Sequence, residues 1–225
     1  KLRTSVDKIV LDSAYKNLSG EHFVLYVDET FNRPEEKLDH SFYVVCGVLV
    51  QEFYLEETRR ELLEIVGQAY WHTTEALQTD EGHAKAEELL EYCRRVRDCH
   101  VFAYKKNLPK QGDANEVVSS AREECLRELL IVVQRHCPGL RLIVIEKRQT
   151  NAQNDADRRV VKSLRAEKRL SRHTRLLLVS PKDEYLLWLP DLSAMAFRRS
   201  KTHKDKTSYY FEQFLGEISI VNTLD

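Results

Sequence analysis

Near-continuous apolar runs, separated by strongly charged stretches, set out the elements of this chain. Residues 23–27 and 42–50 carry almost nothing polar, as do strands that are covered on both faces. A charged connection through Asn32, Arg33 and Pro34 suits an antiparallel pair. Further strands are predicted over 99–104, 140–146 and 175–179. Within 53–70, Leu55, Leu62, Leu63, Val66 and Tyr70 recur at helical spacing, which predicts an amphipathic helix. A polar stretch over 72–82 then leads into a helix over 83–96. The apolar positions from Val117 to Val133 predict another helix, stopped by Pro138-Gly139, and a loop with Pro109 and Gly112 precedes it. A basic helix is predicted over 155–169 and a last one over 189–199. Strands alternating with helices after an initial strand pair predict an α/β fold, with a mixed sheet of about five strands flanked by helices. The length of 225 residues, without internal repeats, favours one domain over 1–225, with a core over 23–200 and a helical insertion over 53–97.

Composition narrows the picture. Hydrophobic residues at 42% and charged residues at 32% describe a folded, heavily charged globular chain and argue against wholesale disorder. A net charge of -1 excludes a uniformly basic nucleic-acid binder but leaves room for opposed patches. The cysteines Cys46, Cys93, Cys99, Cys125 and Cys137 are odd in number and form no C-x-x-C pair. They predict buried, reduced thiols in a cytoplasmic protein, with no zinc site. The longest mainly apolar run, 42–50, falls well short of the roughly 20 residues that span a bilayer. The opening residues lack the apolar centre of a signal peptide, and a start at Lys1 in place of Met predicts a trimmed chain.

Candidate chemistry begins with acids at strand ends. Asp28 and Glu29 close the first strand, Glu146 closes the fourth, and Asp191 follows Pro190 in the apolar segment 185–197. Alternation along a strand places Asp28 with Val24 and Tyr26, and Glu29 with Leu25 and Val27, so only one of the two can enter a given site. Neighbouring parallel strands would bring Asp28 and Glu146 together. Asp191 is either a first-turn residue favoured by the helix dipole or a costly buried charge. Taken singly, each acid has a plain structural reading as a turn or cap. Together, Asp28, Glu146 and Asp191 predict a site for Mg²⁺ or Mn²⁺.

Other side chains extend this expectation. His83, in Asp80-Glu81-Gly82-His83-Ala84-Lys85, is placed to bind metal, handle a proton or contact phosphate, or simply to lie exposed at a helix start. Arg158, Arg159, Lys162, Arg165, Lys168, Arg169, Arg172 and Arg175 crowd one helix and its exit. Arg158, Lys162, Arg165 and Arg169 share one helical face, which is either a track for phosphates or a solvated outer surface. A second basic cluster, Arg198, Arg199, Lys201, His203, Lys204 and Lys206, follows Asp191. No G-x-S-x-G, G-x-x-x-x-G-K-[ST] or G-x-G-x-x-G is present, so serine hydrolase, P-loop ATPase and dinucleotide enzyme drop out.

The order of segments resembles a bacterial domain-of-unknown-function family with a ribonuclease H-like core. Tyr26-Val27-Asp28-Glu29, the strand over 42–50, His83-Ala84, the run Val101 to Lys106, and Ser180 followed by Leu186 to Ala194 carry the likeness, which spans 23–199. The resemblance implies a ribonuclease H-like mixed sheet and a metal-dependent nuclease acting on DNA or RNA. Asp28 and Asp191 fall at matching positions, with Glu146 where that family usually has an aspartate and Pro190 where it has a small residue. Phage defence or mobile-element biology, with protein partners from such systems, is the implied context. The competing expectations are a catalytically silent nucleic-acid-binding or assembly subunit on the same fold, and a protein-interaction domain.

Overall fold

The computed structural model describes residues 5–33 and 40–224. Lys1 and Pro34, both used above, lie outside the described residues. β1 (Phe23–Asn32) pairs antiparallel with β2 (Phe42–Gln51), and β2 pairs antiparallel with β3 (Cys99–Lys106). β4 (Leu140–Glu146) lies parallel to β1 and β5 (Arg175–Val179) parallel to β4. This is the predicted α/β mixed sheet, with all five predicted strands in it. A sixth strand, β6 (Ser219–Leu224), pairs parallel with β3 and completes the order β5-β4-β1-β2-β3-β6.

Alternation along these strands builds two cores. Val24, Tyr26, Val44, Cys46, Phe102 and Val144 face one side, under α2 (Leu55–Val66), α4 (Asp80–Val96) and α7 (Trp188–Thr202). Leu25, Val27, Val45, Ala103, Ile143 and Ile145 face the other, under α5 (Ala114–His136) and α6 (Asn151–Ala166). Gly47 sits where β2 passes beneath α5: a Cβ there would stand 2.8 Å from Leu25 Cδ1 and 3.2 Å from Leu129 Cδ2. A side chain added at this point would force the Leu25 and Leu129 side chains to shift in a closely packed layer.

Two buried ionic clusters tie the layers together. On the α5 side, Arg122 makes a paired contact with Asp157 of α6, Nε to Oδ1 at 3.0 Å and Nη2 to Oδ2 at 2.9 Å. It also meets Glu29 of β1 at 2.5 Å. On the other side, Glu184 accepts from Arg59 of α2 (2.6 and 3.1 Å), from Tyr15 Oη (2.5 Å) and from the Leu186 amide (3.0 Å). Tyr15 belongs to α1 (Val6–Tyr15), and its hydroxyl also meets that of Tyr26 in β1 at 2.8 Å.

Three local expectations are corrected. The polar lead-in contains α1, started by Ser5, whose hydroxyl accepts from the Lys8 amide. The polar stretch after His72 contains α3 (Thr73–Ala76) and the first turn of α4, capped by Thr79. Gly82 is what lets these two helices meet, since a Cβ there would lie 1.9 Å from the Ala76 carbonyl oxygen. The basic helix ends at Ala166, not 169, and the chain leaves through Lys168 at φ 59°. Cys46, Cys93, Cys125 and Cys137 are buried free thiols, and Cys99 is half-buried. Among the described residues no helix is long and apolar enough to cross a membrane.

Candidate metal and nucleic-acid site

The β1–β4 ladder pairs Tyr26 with Val144 and Val27 with Ile145. Continuing by one residue, Asp28 and Glu146 emerge side by side on the face shared by Tyr26 and Val144. Asp28 lies opposite Cys46 in β2. The first turn of α7, packed over β1 and β2 on this face, brings Asp191. All three acids line one cavity of about 870 Å³. Two neighbouring strand ends and one helix start thus converge on one cavity.

The three carboxylates disturb one another. Burial pushes Asp28 well above the ordinary carboxylate range, and the charges of Asp191 and Glu146 push it further. Glu146 is raised by burial and then by Asp191, against a lowering influence of His72. Asp191 is raised by burial, although its hydrogen bonds from Thr73 and the nearby His72 pull it down. Thr73 grips Asp191 Oδ2 through its amide at 3.1 Å and its hydroxyl at 2.7 Å. Trp71 Nε1 donates to the same hydroxyl oxygen at 2.9 Å, so the segment 70–73 is fastened to the acid.

Of the secondary candidates, Glu29 borders the cavity, but Arg122 and Arg148 take its carboxylate. It therefore serves as an ionic anchor between β1 and the α5–α6 layer. His83 does not line the cavity. It lies on α4, where its charge bears on Glu87, four residues along the same helix. The histidine that faces the acids is His72, just before α3, and periodicity gave it no distinction from its polar neighbours.

The basic residues divide in the same way. Arg158, Arg159 and Lys162 are exposed on α6, and Arg158 pairs with Asp155 at 2.9 Å. Arg165 turns back to donate to the Thr174 carbonyl, and Arg169 lies beyond the helix end, so the four-residue track is interrupted. None of these residues lines the cavity. Arg198 and Arg199 do, together with Arg33 and Lys182. Arg199 is steadied by Thr207 Oγ1 at 2.9 Å.

Hard carboxylate oxygens are the donors that Mg²⁺ and Mn²⁺ take, and three acids raised chiefly by burial, two of them further by neighbouring carboxylates, suit a cation chemically. In the present side-chain arrangement no group of three or more His, Cys, Asp or Glu among the described residues is gathered closely enough to hold an ion.

No protein-family model and no curated protein matches this sequence. Among solved structures, the chain is similar to Bst-RNase HIII in complex with Mn²⁺, at 14% identity and a TM-score of 0.44 over 91% of this chain and 56% of that one. A mutant protein of Bst-RNase HIII is similar at 14% identity and a TM-score of 0.44, over 80% and 53% of the respective chains. The chain spans about half the length of these solved structures.

Proposed function

We propose that this chain is a Mg²⁺- or Mn²⁺-dependent nuclease that hydrolyses phosphodiester bonds of DNA or RNA. The observation that carries the reading is the convergence of Asp28, Glu146 and Asp191, from β1, β4 and α7, on one cavity rimmed by Arg33, Lys182, Arg198 and Arg199. Carboxylates that mutually oppose ionisation beside a basic rim suit a cation at the centre and phosphates around it.

Asp28, Glu146 and Asp191 would hold the ion, which when bound supplies activated water and charge stabilisation at the leaving oxygen. Thr73 orients Asp191 by holding Oδ2 with two hydrogen bonds, neither of which engages Oδ1. His72, beside Glu146 and Asp191, is placed to exchange a proton at its ring nitrogens. Arg198, Lys182 and Arg33 would position the phosphate backbone. A role in phage defence or mobile-element biology, with a protein partner from such a system, follows from the family resemblance alone.

The test is cleavage of labelled single- and double-stranded DNA and RNA with Mg²⁺, Mn²⁺ or EDTA, comparing the wild type with Asp28→Asn and Asp191→Asn. Metal-dependent cleavage lost in both variants is expected; undiminished cleavage by both would sink the assignment. A second reading, a silent nucleic-acid-binding subunit, is favoured by the double hydrogen bond that commits Asp191 Oδ2 to Thr73. It predicts salt-sensitive binding without metal-dependent turnover.

A further inference from the structure

We infer that the cavity takes single-stranded nucleic acid and that the ring of Tyr70 is the platform on which one unpaired base stacks. This rests on the nuclease reading for the identity of the site, but it concerns binding and specifies the strand state of the ligand. Tyr70 lines the cavity and is 42% exposed, a large aromatic surface left open beside the acids. Its hydroxyl is raised by desolvation and by Glu75, with smaller contributions from the charges of Asp191 and Glu146.

The ring is held rather than loose. Its hydroxyl donates to Glu75, with 3.2 Å to either carboxylate oxygen. The next residue, Trp71, is buried and hydrogen-bonded to Thr73, which in turn grips Asp191. A pinned aromatic face costs little entropy when a base settles on it.

Charge around the cavity separates a base side from a phosphate side. On the Tyr70 side, Glu75 lines an adjoining recess in which Glu81 is paired with Lys85 at 2.8 Å, so no unpaired lysine or arginine among the described residues there competes for the phosphate. Arg33, Lys182 and Arg198 belong to the main cavity and attract it. Phe31, a further aromatic in the cavity wall, is already stacked on Tyr43 at 5.4 Å and carries the Arg33 guanidinium over its ring at 5.7 Å. Trp71 and Trp188 are buried, so among the described residues of the cavity wall Tyr70 offers the open carbocyclic ring, with the smaller His72 imidazole nearby. A base paired within a duplex has both faces covered by its neighbours and cannot use such a platform, whereas an unpaired base can.

The experiment is fluorescence anisotropy with the full chain in Ca²⁺, using one labelled oligonucleotide as a single strand and as a blunt duplex, in DNA and RNA forms. The single strands are expected to bind more tightly than their duplexes. Tyr70→Ala should weaken single-strand binding roughly 5- to 150-fold, the range of one lost base stack, while Tyr70→Phe, which keeps the ring and loses only its bond to Glu75, should weaken it by much less. Equal affinity for single strand and duplex, unchanged binding by Tyr70→Ala, or a loss in Tyr70→Phe matching that in Tyr70→Ala would overturn the inference. Metal-dependent cleavage confined to duplexes would overturn it too while leaving the nuclease reading standing. DNA and RNA single strands binding alike, or one exceeding the other, both accord with it and identify the sugar preference.

Discussion

Thr73 donates two hydrogen bonds to a single oxygen of Asp191, joining the start of α3 to the start of α7 across 118 residues of sequence. The helical insertion between β2 and β3 is thereby part of the acid site and not an ornament on it. Thr73→Val keeps the shape but removes the hydroxyl, leaving Trp71 Nε1 without its acceptor and Asp191 with one donor fewer. A loss of about 1–3 kcal/mol in denaturant unfolding is expected. Wild-type stability in this variant would show that the contact contributes nothing net.

Asp28→Asn removes a carboxylate whose ionisation is opposed by burial, Asp191 and Glu146. Because its folded value is raised, the native chain retains a proton that the unfolded chain has released, and stability falls as pH climbs from the ordinary carboxylate range through the raised value. The asparagine variant escapes that penalty. Its Tm is expected to exceed the wild type's, with a larger gain at about pH 8 than at about pH 5, since the penalty develops with deprotonation. A gain that does not change with pH would contradict the raised value.

Cation binding draws on the same protons. Mn²⁺ is expected to raise the Tm of the wild type, more strongly as pH rises because the carboxylates must release protons to bind it. EDTA should reverse the shift, and Asp28→Asn should abolish it. A shift of the same size in that variant would place the ion elsewhere.

Arg122→Met leaves the buried Asp157 without its paired partner and Glu29 with Arg148 alone. Breaking a buried pair from one side costs about 3–5 kcal/mol, which urea unfolding would read as a lowered midpoint. Arg122→Met together with Asp157→Leu should recover much of that loss. Failure of the double variant to recover would mean that the arginine matters chiefly through Glu29.

Reversing charge at Arg198 should weaken oligonucleotide binding and flatten its salt dependence by about one unit of slope, as expected when one phosphate contact is lost. The double reversal Arg158→Glu with Lys162→Glu should leave both quantities near wild type, since neither residue borders the cavity. The opposite pattern would move the nucleic-acid track to α6.

The five predicted strands were readable because each is a nearly unbroken apolar run, the pattern that a doubly covered strand requires. β6 was not, since Ser219, Asn222 and Thr223 interrupt a short edge strand. α1 carried a signal in Ser5 and the helically spaced Val6, Ile9, Val10 and Ala14, but several of those positions are exposed and the segment read as polar lead-in. Asp28 and Glu146 could be paired from the sequence because parallel register follows from strand order, while His72 could not be preferred to His83. Which histidine reaches the acids depends on how α3 docks against α7, a tertiary contact without a periodic trace. The broken basic face has a similar cause: no glycine or proline marks the turn through Lys168.

Gly47 bears on more than packing. It admits Leu25 and Leu129 to one point on the sheet, within the ten-residue ladder that sets β1 against β2. A slip of β1 by a single residue would exchange the faces of Asp28 and Glu29, setting the longer carboxylate in the cavity and the shorter one before Arg122 and Arg148. The register that packs β1 thus also decides which acid the cavity receives.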